Sequence, residues 1–373
     1  MRTMSGEASA MSAVRNALKY GDLSFRDFVE LALYHPGTGY YARGVNPVSK
    51  GGDYVSAPVL SPVFAFALAR LVRDFVSRCE AGVCSVVDIG CGDGTLIRAI
   101  ASQIESDRVR FFGVDRSLQR IEAASGADFV TFVGSLDELP PSDCRLLLSN
   151  ELFDAFPFAR LVMRGEHLHE LWVTENEGSL DWTEREAAAI YEDYFAERGI
   201  ELTDGQFADV SLEWGAFYGD MLRSVDKALI VTIDYGFPGQ KLFHPRARRF
   251  GTAAAYSRQR VHRDLLAAPG DQDLTAHVNF TDLESEGRRL GAQTLYSDRL
   301  ARFLLTLEIT GHELFRPIDQ VTIESSEQGL QLLEERENAR RLVLPDGIGQ
   351  EMQVLVQAKG LSLENWLFQR KLL

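Results

Sequence analysis

One stretch constrains this chain more than any other: Val87-Asp88-Ile89-Gly90-Cys91-Gly92-Asp93-Gly94. The preceding Ser85 to Ile89 reads as a short buried strand, and residues 95–104 as a helix. A strand that ends in a glycine turn opening a helix makes a cofactor crevice. Around it, short apolar strands alternate with helical stretches. A second strand runs from Val109 to Asp115, a third from Phe129 to Gly134 and a fourth from Arg145 to Ser149. Residues 117–125 between them read as a short helix. That alternation predicts βαβ units and a parallel sheet covered on both faces.

Two ligand chemistries compete for the glycine turn. A dinucleotide asks for G-x-G-x-x-G, so that a helix N-terminus cradles a pyrophosphate. Here Gly94 falls one residue early, Thr95 takes its place, and an acid precedes the first glycine by two. S-adenosylmethionine carries no phosphate but a sulfonium, an ammonium and a carboxylate. Glycines let the backbone approach the methionine part, and Asp88 organises the turn or faces the ammonium. D-x-G-x-G-x-G thus resembles the first motif of class I methyltransferases. Asp115 lies 21 residues beyond Gly94, at a strand end where a carboxylate accepts from both ribose hydroxyls. The bland alternatives are a plain strand–helix turn and, for Asp115, a helix cap before Ser117. Joint placement makes the pair more specific than either alone. Main-chain groups of Ser135 and Leu136, after the third strand, stand where adenine is read, or form a simple turn.

The fourth strand ends in Asn150-Glu151-Leu152-Phe153-Asp154-Ala155-Phe156-Pro157. Ligands of such sheets bind outside the carboxyl ends of the strands. Glu151 and Asp154, three apart, share a side if the turn is helical. Two carboxylates there clamp a guanidinium, or are acids drawn to a helix start. A fifth strand, Ala228 to Gly236, ends in Asp234-Tyr235-Gly236, a substrate carboxylate and a wall or a strand-end turn. Met352 to Ala358 is a terminal strand.

Elsewhere the pattern is ordinary. Residues 12–33 have helical spacing with Ser24 as a cap, and 60–78 form a long amphipathic helix. Residues 168–182 read as a β-hairpin about Asn176-Glu177-Gly178, 184–225 as helical, and 282–291 and 327–341 as helices. Trp172, Trp182 and Trp214 are expected to make a small core. His167 and His169 read as a solvated pair. Arg246, Arg248, Arg249, Arg258, Arg260 and Arg263 form a basic stretch that docks an acidic partner or is a solvated face.

Charge and cysteines bound the partners. With 39 Lys and Arg against 54 Asp and Glu, the net charge is −15. Phosphate backbones and anionic membranes repel such a chain, so neither nucleic acid nor membrane is expected. No run is apolar enough to span a bilayer. Residues 1–13 lack a signal-peptide apolar region. Cys79, Cys84, Cys91 and Cys144 have no metal spacing, so no metal is expected; the thiols read as reduced and the location as cytoplasmic.

Several separated blocks resemble the MidA family of S-adenosylmethionine-dependent methyltransferases. They are Phe28 to Tyr41, Gly52 to Pro58, Asn150 to Pro157, Ile233 to Gly236 and Pro269 to Phe280. The resemblance runs from about residue 20 to 358. It implies an α/β fold: a Rossmann-like class I core with a mostly parallel seven-stranded sheet, an N-terminal helical cap and α+β insertions. The expected division is a cap and lid loop at 1–82, a core at 83–157 and 226–373, and an inserted hairpin and helical unit at 158–225. The resemblance places Tyr54, Ser56 and Pro58 over the cofactor, which Asp88, Gly90, Gly92, Gly94 and Asp115 hold. Asn150, Glu151 and Asp154 sit beside the methyl; Asp234, Tyr235, His277 and Asn279 line the substrate side. Mitochondrial members are arginine methyltransferases that assist assembly of respiratory complex I. The expected activity is therefore methylation of a protein arginine. A small-molecule acceptor and a partner-holding assembly factor are the alternatives. The segments 158–225 and 237–281 offer surfaces for a homodimer. The chain departs from the family at Val59, at Cys91 in the glycine motif, at Phe250-Gly251-Thr252 and at Gly347-Ile348-Gly349-Gln350.

Overall fold

The computed structural model describes residues 9–42, 61–79, 82–117, 129–258, 260–317, 325–362 and 364–369. The lid positions Tyr54, Ser56 and Pro58 and nearly all of the 117–125 stretch lie outside these residues.

Seven strands form the central sheet: β1 (Cys84–Ile89), β2 (Val109–Val114), β3 (Val130–Val133), β4 (Cys144–Asn150), β5 (Ala228–Phe237), β6 (Gln293–Arg299) and β7 (Met352–Lys359). Their order is β6-β7-β5-β4-β1-β2-β3. All pair parallel except β7, which runs antiparallel to β5 and β6. The mostly parallel sheet of the sequence reading is present. The chain steps outward from β1 to β3, then returns to the other side of β1 as β4. That reversal opens a crevice at the carboxyl ends of β1 and β4. A two-residue strand, Val278–Asn279, also pairs with the end of β5.

The strands form where apolar runs are bounded by Gly and Asp. Every residue of β1 is buried, and so is every residue of β5 up to Asp234. One face of the sheet packs on helix Pro62–Arg78, which Ser61 caps by accepting from the Val63 amide at 3.3 Å. Pro62 at the first helical position costs nothing, because its missing N–H would be unpaired there anyway. Phe64, Leu68, Leu71 and Phe75 go from this helix into the core. Burying each stabilises the fold by about 2 kcal/mol. The other face packs on helices Glu213–Arg223 and Phe280–Arg289.

The N-terminal region is two helices, Ala10–Leu18 and Phe25–Tyr34. Gly21, at φ +140°, takes the turn between them. Ser24 caps the second by accepting from the Asp27 amide at 3.1 Å.

Four sequence expectations change. The hairpin extends to His167–Asn176 and Ser179–Glu186 inside a five-stranded sheet. Residues 184–225 are not all helical: helix Ala189–Glu197 and helix Glu213–Arg223 flank strand Phe207–Val210. Asp209 on that strand is buried and paired with Arg160 at 2.7 Å, a tertiary contact that helical periodicity does not carry. The three tryptophans do not share a core. Trp182 packs at a tilt against Phe25, ring centroids 4.9 Å apart, whereas fully buried Trp214 packs on the central sheet. Cys79 and Cys144 form a disulfide, so these two are not free thiols. Cys84 Sγ lies 3.4 Å from Cys144 Sγ, and the three sulfurs sit together at the amino end of the sheet.

Candidate active site

A cavity of about 1120 Å³ occupies the crevice. Its floor is the β1 turn. Gly90, Gly92 and Gly94 have φ of +76°, +56° and +75°, a region that only glycine enters freely. A Cβ on Gly90 would come within 2.7 Å of Leu152 Cδ1, and one on Gly94 within 2.5 Å of Phe132 Cζ. The turn is held by the second strand: Gly90 and Cys91 amides donate to the Val114 carbonyl at 2.8 and 3.1 Å.

Asp88, Gly90, Gly92, Asp115, Ser135 and Leu136 all line the cavity; Gly94 stands just behind it. Asp88 is 3% exposed. Burial, aided by the charges of Asp115 and Asp93, pushes its carboxyl up to about 8. Asp115 accepts from the Gly92 amide on one oxygen and the Ser117 amide on the other, at 3.0 and 2.9 Å. It thus ties the glycine turn to the end of the second strand, while the helix it is expected to cap lies outside the described residues. Each oxygen keeps a lone pair for a hydroxyl.

The opposite wall is the loop after β4. Asn150 and Glu151 line the cavity; Asp154 does not. The turn is not helical: Glu151 sits at φ +50°, so the three-residue spacing does not put both carboxylates on one side. A non-glycine residue there stores roughly 1–3 kcal/mol of strain, which the surroundings must offset. They do: the Glu151 amide donates to the Ile233 carbonyl at 3.0 Å, and Trp214 Nε1 to the Phe153 carbonyl at 2.7 Å. The Asn150 amide donates to Glu151 Oε1 at 3.2 Å, while Asn150 Oδ1 is buried with no partner. A buried acceptor in that state awaits a donor.

Asp154 lies behind the wall, near Asp234, Glu151 and Asp273. Burial and those three charges drive its carboxyl well above the usual carboxylate range. Asp234 is also buried and raised, but the amides of Leu152, Phe153 and Tyr235 donate to it at 3.1, 2.8 and 2.8 Å. Asp234 therefore carries the charge and Asp154 the proton.

The substrate-side expectations fare unevenly. Asp234 is fully enclosed and serves the loop's main chain, so it touches no substrate. Asn279 is likewise enclosed: its Oδ1 accepts from the Thr281 amide and its Nδ2 donates to Tyr194. It caps helix Phe280–Arg289 and does not face a ligand. Tyr235 and His277 do not line the cavity; they stack on one another at 6.3 Å. Sequence reasoning missed Tyr34 and Tyr41, which stack at 5.6 Å and line the cavity from the N-terminal cap. Tyr34 Oη donates to the Ala155 carbonyl at 2.8 Å, and Tyr41 Oη to both oxygens of buried Asp273 at 2.9 Å. The tyrosines on either side of the His35-to-Gly39 turn were the available signal.

Seven carboxylates and only two guanidinium groups line this cavity. Such a cleft concentrates cations. The glycine cradle, the sealed Asp88 and the ribose-type Asp115 fit a sulfonium nucleoside with an ammonium tail. Sheet order and site together define a class I methyltransferase dependent on S-adenosylmethionine. The chain matches the sequence model of an S-adenosyl-L-methionine-dependent methyltransferase family over residues 67–297, and it belongs to that family. The fold is similar to a Burkholderia thailandensis protein crystallised with S-adenosyl-homocysteine, with TM-score 0.82 and 26% identity over 97% of this chain and 94% of that one. A second crystal structure from that organism gives TM-score 0.79 at 27% identity, over 96% and 93% of the two chains. The mitochondrial protein arginine methyltransferase NDUFAF7 of Danio rerio is 22% identical over 70% of this chain and 68% of its own. That of Mus musculus is 22% identical over 70% and 66%. No described helix is long and apolar enough to cross a membrane.

Proposed function

We propose that this methyltransferase modifies an arginine side chain of a protein. The observation that carries the reading is the wall beside the glycine turn. There Glu151 and the unpartnered Asn150 Oδ1 present acceptors to a planar donor, inside a cavity whose charge is strongly negative. A guanidinium satisfies several acceptors at once through its fixed fork. The NDUFAF7 relatives, named as arginine methyltransferases, support the same acceptor.

When bound, S-adenosylmethionine supplies an electrophilic methyl group. The chain's own residues do the rest. Asp88 and Asp115 hold the two ends of the cofactor. Glu151 accepts from the guanidinium and fixes which nitrogen points inward, so the rate comes from orientation and avoided entropy. The strained Glu151 backbone keeps that carboxylate aimed at the cavity. Glu151 also stabilises positive charge on the guanidinium as the new bond forms. The proton released from the methylated nitrogen passes to Glu151 and on to water.

The test is methyl-labelled cofactor with the purified enzyme in an extract of its own cell. Acid hydrolysis of the labelled protein is expected to yield methylarginine. Label confined to a low-mass product would overturn the reading and favour a small-molecule acceptor.

A further inference from the structure

Outside the cavity lining, at the end of β5, two arginines crowd one aromatic ring. The guanidinium carbons of Arg248 and Arg299 lie 4.5 and 4.3 Å from the Phe237 ring centroid. His277 stacks on the same ring at 5.7 Å and on Tyr235 at 6.3 Å. Both arginines are half-buried. Among the described residues, neither guanidinium has a carboxylate within ion-pair distance. Arg299 donates to the main-chain carbonyls of Gly236 and Glu351 at 3.2 and 3.4 Å. The nearby Asp298 is taken by Arg302 at 3.0 Å.

This is an unusual expense for a fold. Partly desolvated cations of like sign sit together with no ion pair at contact distance, Glu351 and Asp298 acting on Arg299 only at longer range, which costs free energy unless a ligand supplies a closer counter-charge. Burial, aided by the field of the two arginines, also depresses His277 to about 4, keeping it neutral. Its Nδ1 is sealed from solvent and has no partner. Two guanidinium forks with no ion pair and an orphaned ring nitrogen around one aromatic plate form a receptor for a carboxylate.

Position gives the receptor a meaning. Phe237 is three residues along β5 from Asp234, and the Glu151 amide is tied to Ile233 on the same strand. Three extended residues span about 10 Å. Along β5, the main chain that anchors the Glu151 loop and the ring that carries the arginines are therefore about three residues apart. We propose that Arg248 and Arg299 dock an aspartate or glutamate of the substrate polypeptide, so that the enzyme selects arginines with an acidic residue about three positions away. The proposal rests on the arginine reading above and adds the sequence context of the acceptor.

The experiment measures binding of fluorescent nine-residue peptides to the enzyme loaded with S-adenosylhomocysteine. Each peptide has a central arginine and one aspartate, walked through every other position, with asparagine versions as controls. Aspartate three residues from the arginine is expected to tighten binding about tenfold over asparagine. Arg248→Glu is expected to abolish that gain and prefer lysine there; Arg248→Lys is expected to keep part of it. An unchanged melting temperature shows that the variants fold. Equal binding of aspartate and asparagine peptides at every position overturns the proposal, as does a preference that survives Arg248→Glu. Displacement of the peptide by an equal concentration of N-acetyl-aspartate overturns the polypeptide assignment in favour of a small acidic metabolite. Failure of the arginine reading shows separately: replacing the central arginine by glutamine would then leave binding unchanged while the aspartate preference persists.

Discussion

Asp234 at the end of β5 holds Phe153 in the loop after β4: its Oδ2 accepts from the Phe153 amide at 2.8 Å and from the neighbouring Leu152 amide at 3.1 Å. One enclosed carboxylate thus fixes the main chain that aims Glu151 into the cavity. Asp234→Ala leaves buried amides without an acceptor, at about 1–3 kcal/mol for each. The expected result is a clear fall in melting temperature, and at least a hundredfold lower kcat in whatever fraction remains folded. Cofactor affinity is expected to change little, because the β1 turn is separate. Equal losses in kcat and cofactor affinity would mean that Asp234 supports the whole crevice.

Asp88 makes cofactor binding proton-linked. Its carboxyl is raised to about 8 in the free enzyme, so it is mostly protonated at neutral pH. An ammonium placed against it favours the ionised form, and binding then releases a proton. Calorimetry of S-adenosylhomocysteine binding in two buffers of different ionisation enthalpy is expected to show close to one proton released at pH 7. Asp88→Asn is expected to abolish the release. Identical heats in both buffers would contradict the assignment of Asp88.

Stability is expected to fall as pH rises from 6.5 to 8. In the folded chain Asp88 titrates at about 8, whereas it is ionised in the unfolded chain over this range. The folded state therefore binds more protons, and each proton so held contributes a slope of about −1.4 kcal/mol per pH unit. His277, lowered to about 4, acts in the opposite sense, but only below its ordinary 6.5. Urea unfolding at three pH values measures the slope. A rising slope between 6.5 and 8 would refute it.

The Cys79–Cys144 disulfide closes a loop 65 residues apart in sequence. On a chain-entropy basis it stabilises the fold by about 4 kcal/mol. Alkylation under denaturing conditions without reductant is expected to mark two cysteines, Cys84 and Cys91, and with reductant all four. Four marked without reductant would show that the bridge is absent.

Much of this architecture is legible along the chain, for physical reasons that also explain the misses. β1, β2, β4, β5 and β7 are largely buried apolar runs punctuated by Gly and Asp, and each declares itself locally. β6, Gln293–Arg299, lies at the sheet's edge and is only half-buried, so its polar residues mask it. The cofactor half of the site is contiguous: a turn fixes Asp88 and the glycines, and one strand later comes Asp115. The acceptor half is assembled from distant segments. Nothing local tells whether a strand-end acid such as Asp234 faces a ligand or ties down a neighbouring loop. Asn279 has the same ambiguity, and a cap is what it turns out to be. Cys79 and Cys144 meet only through tertiary packing, so their spacing carries no signal. The lone reach of Tyr34 across to Ala155 is equally invisible until the cap helix is placed.

The central claim is that the crevice binds S-adenosylmethionine and that Glu151 directs the methyl to a guanidinium. Glu151→Gln keeps the side chain's size and removes its charge. The decisive measurement is its S-adenosylhomocysteine dissociation constant set beside its rate of methylarginine formation. The account predicts a dissociation constant within about threefold of the parent and a rate lower by at least a hundredfold, since one lost charge contact in a transition state is worth about 3 kcal/mol. A Glu151→Gln enzyme that forms methylarginine at the parental rate would contradict it.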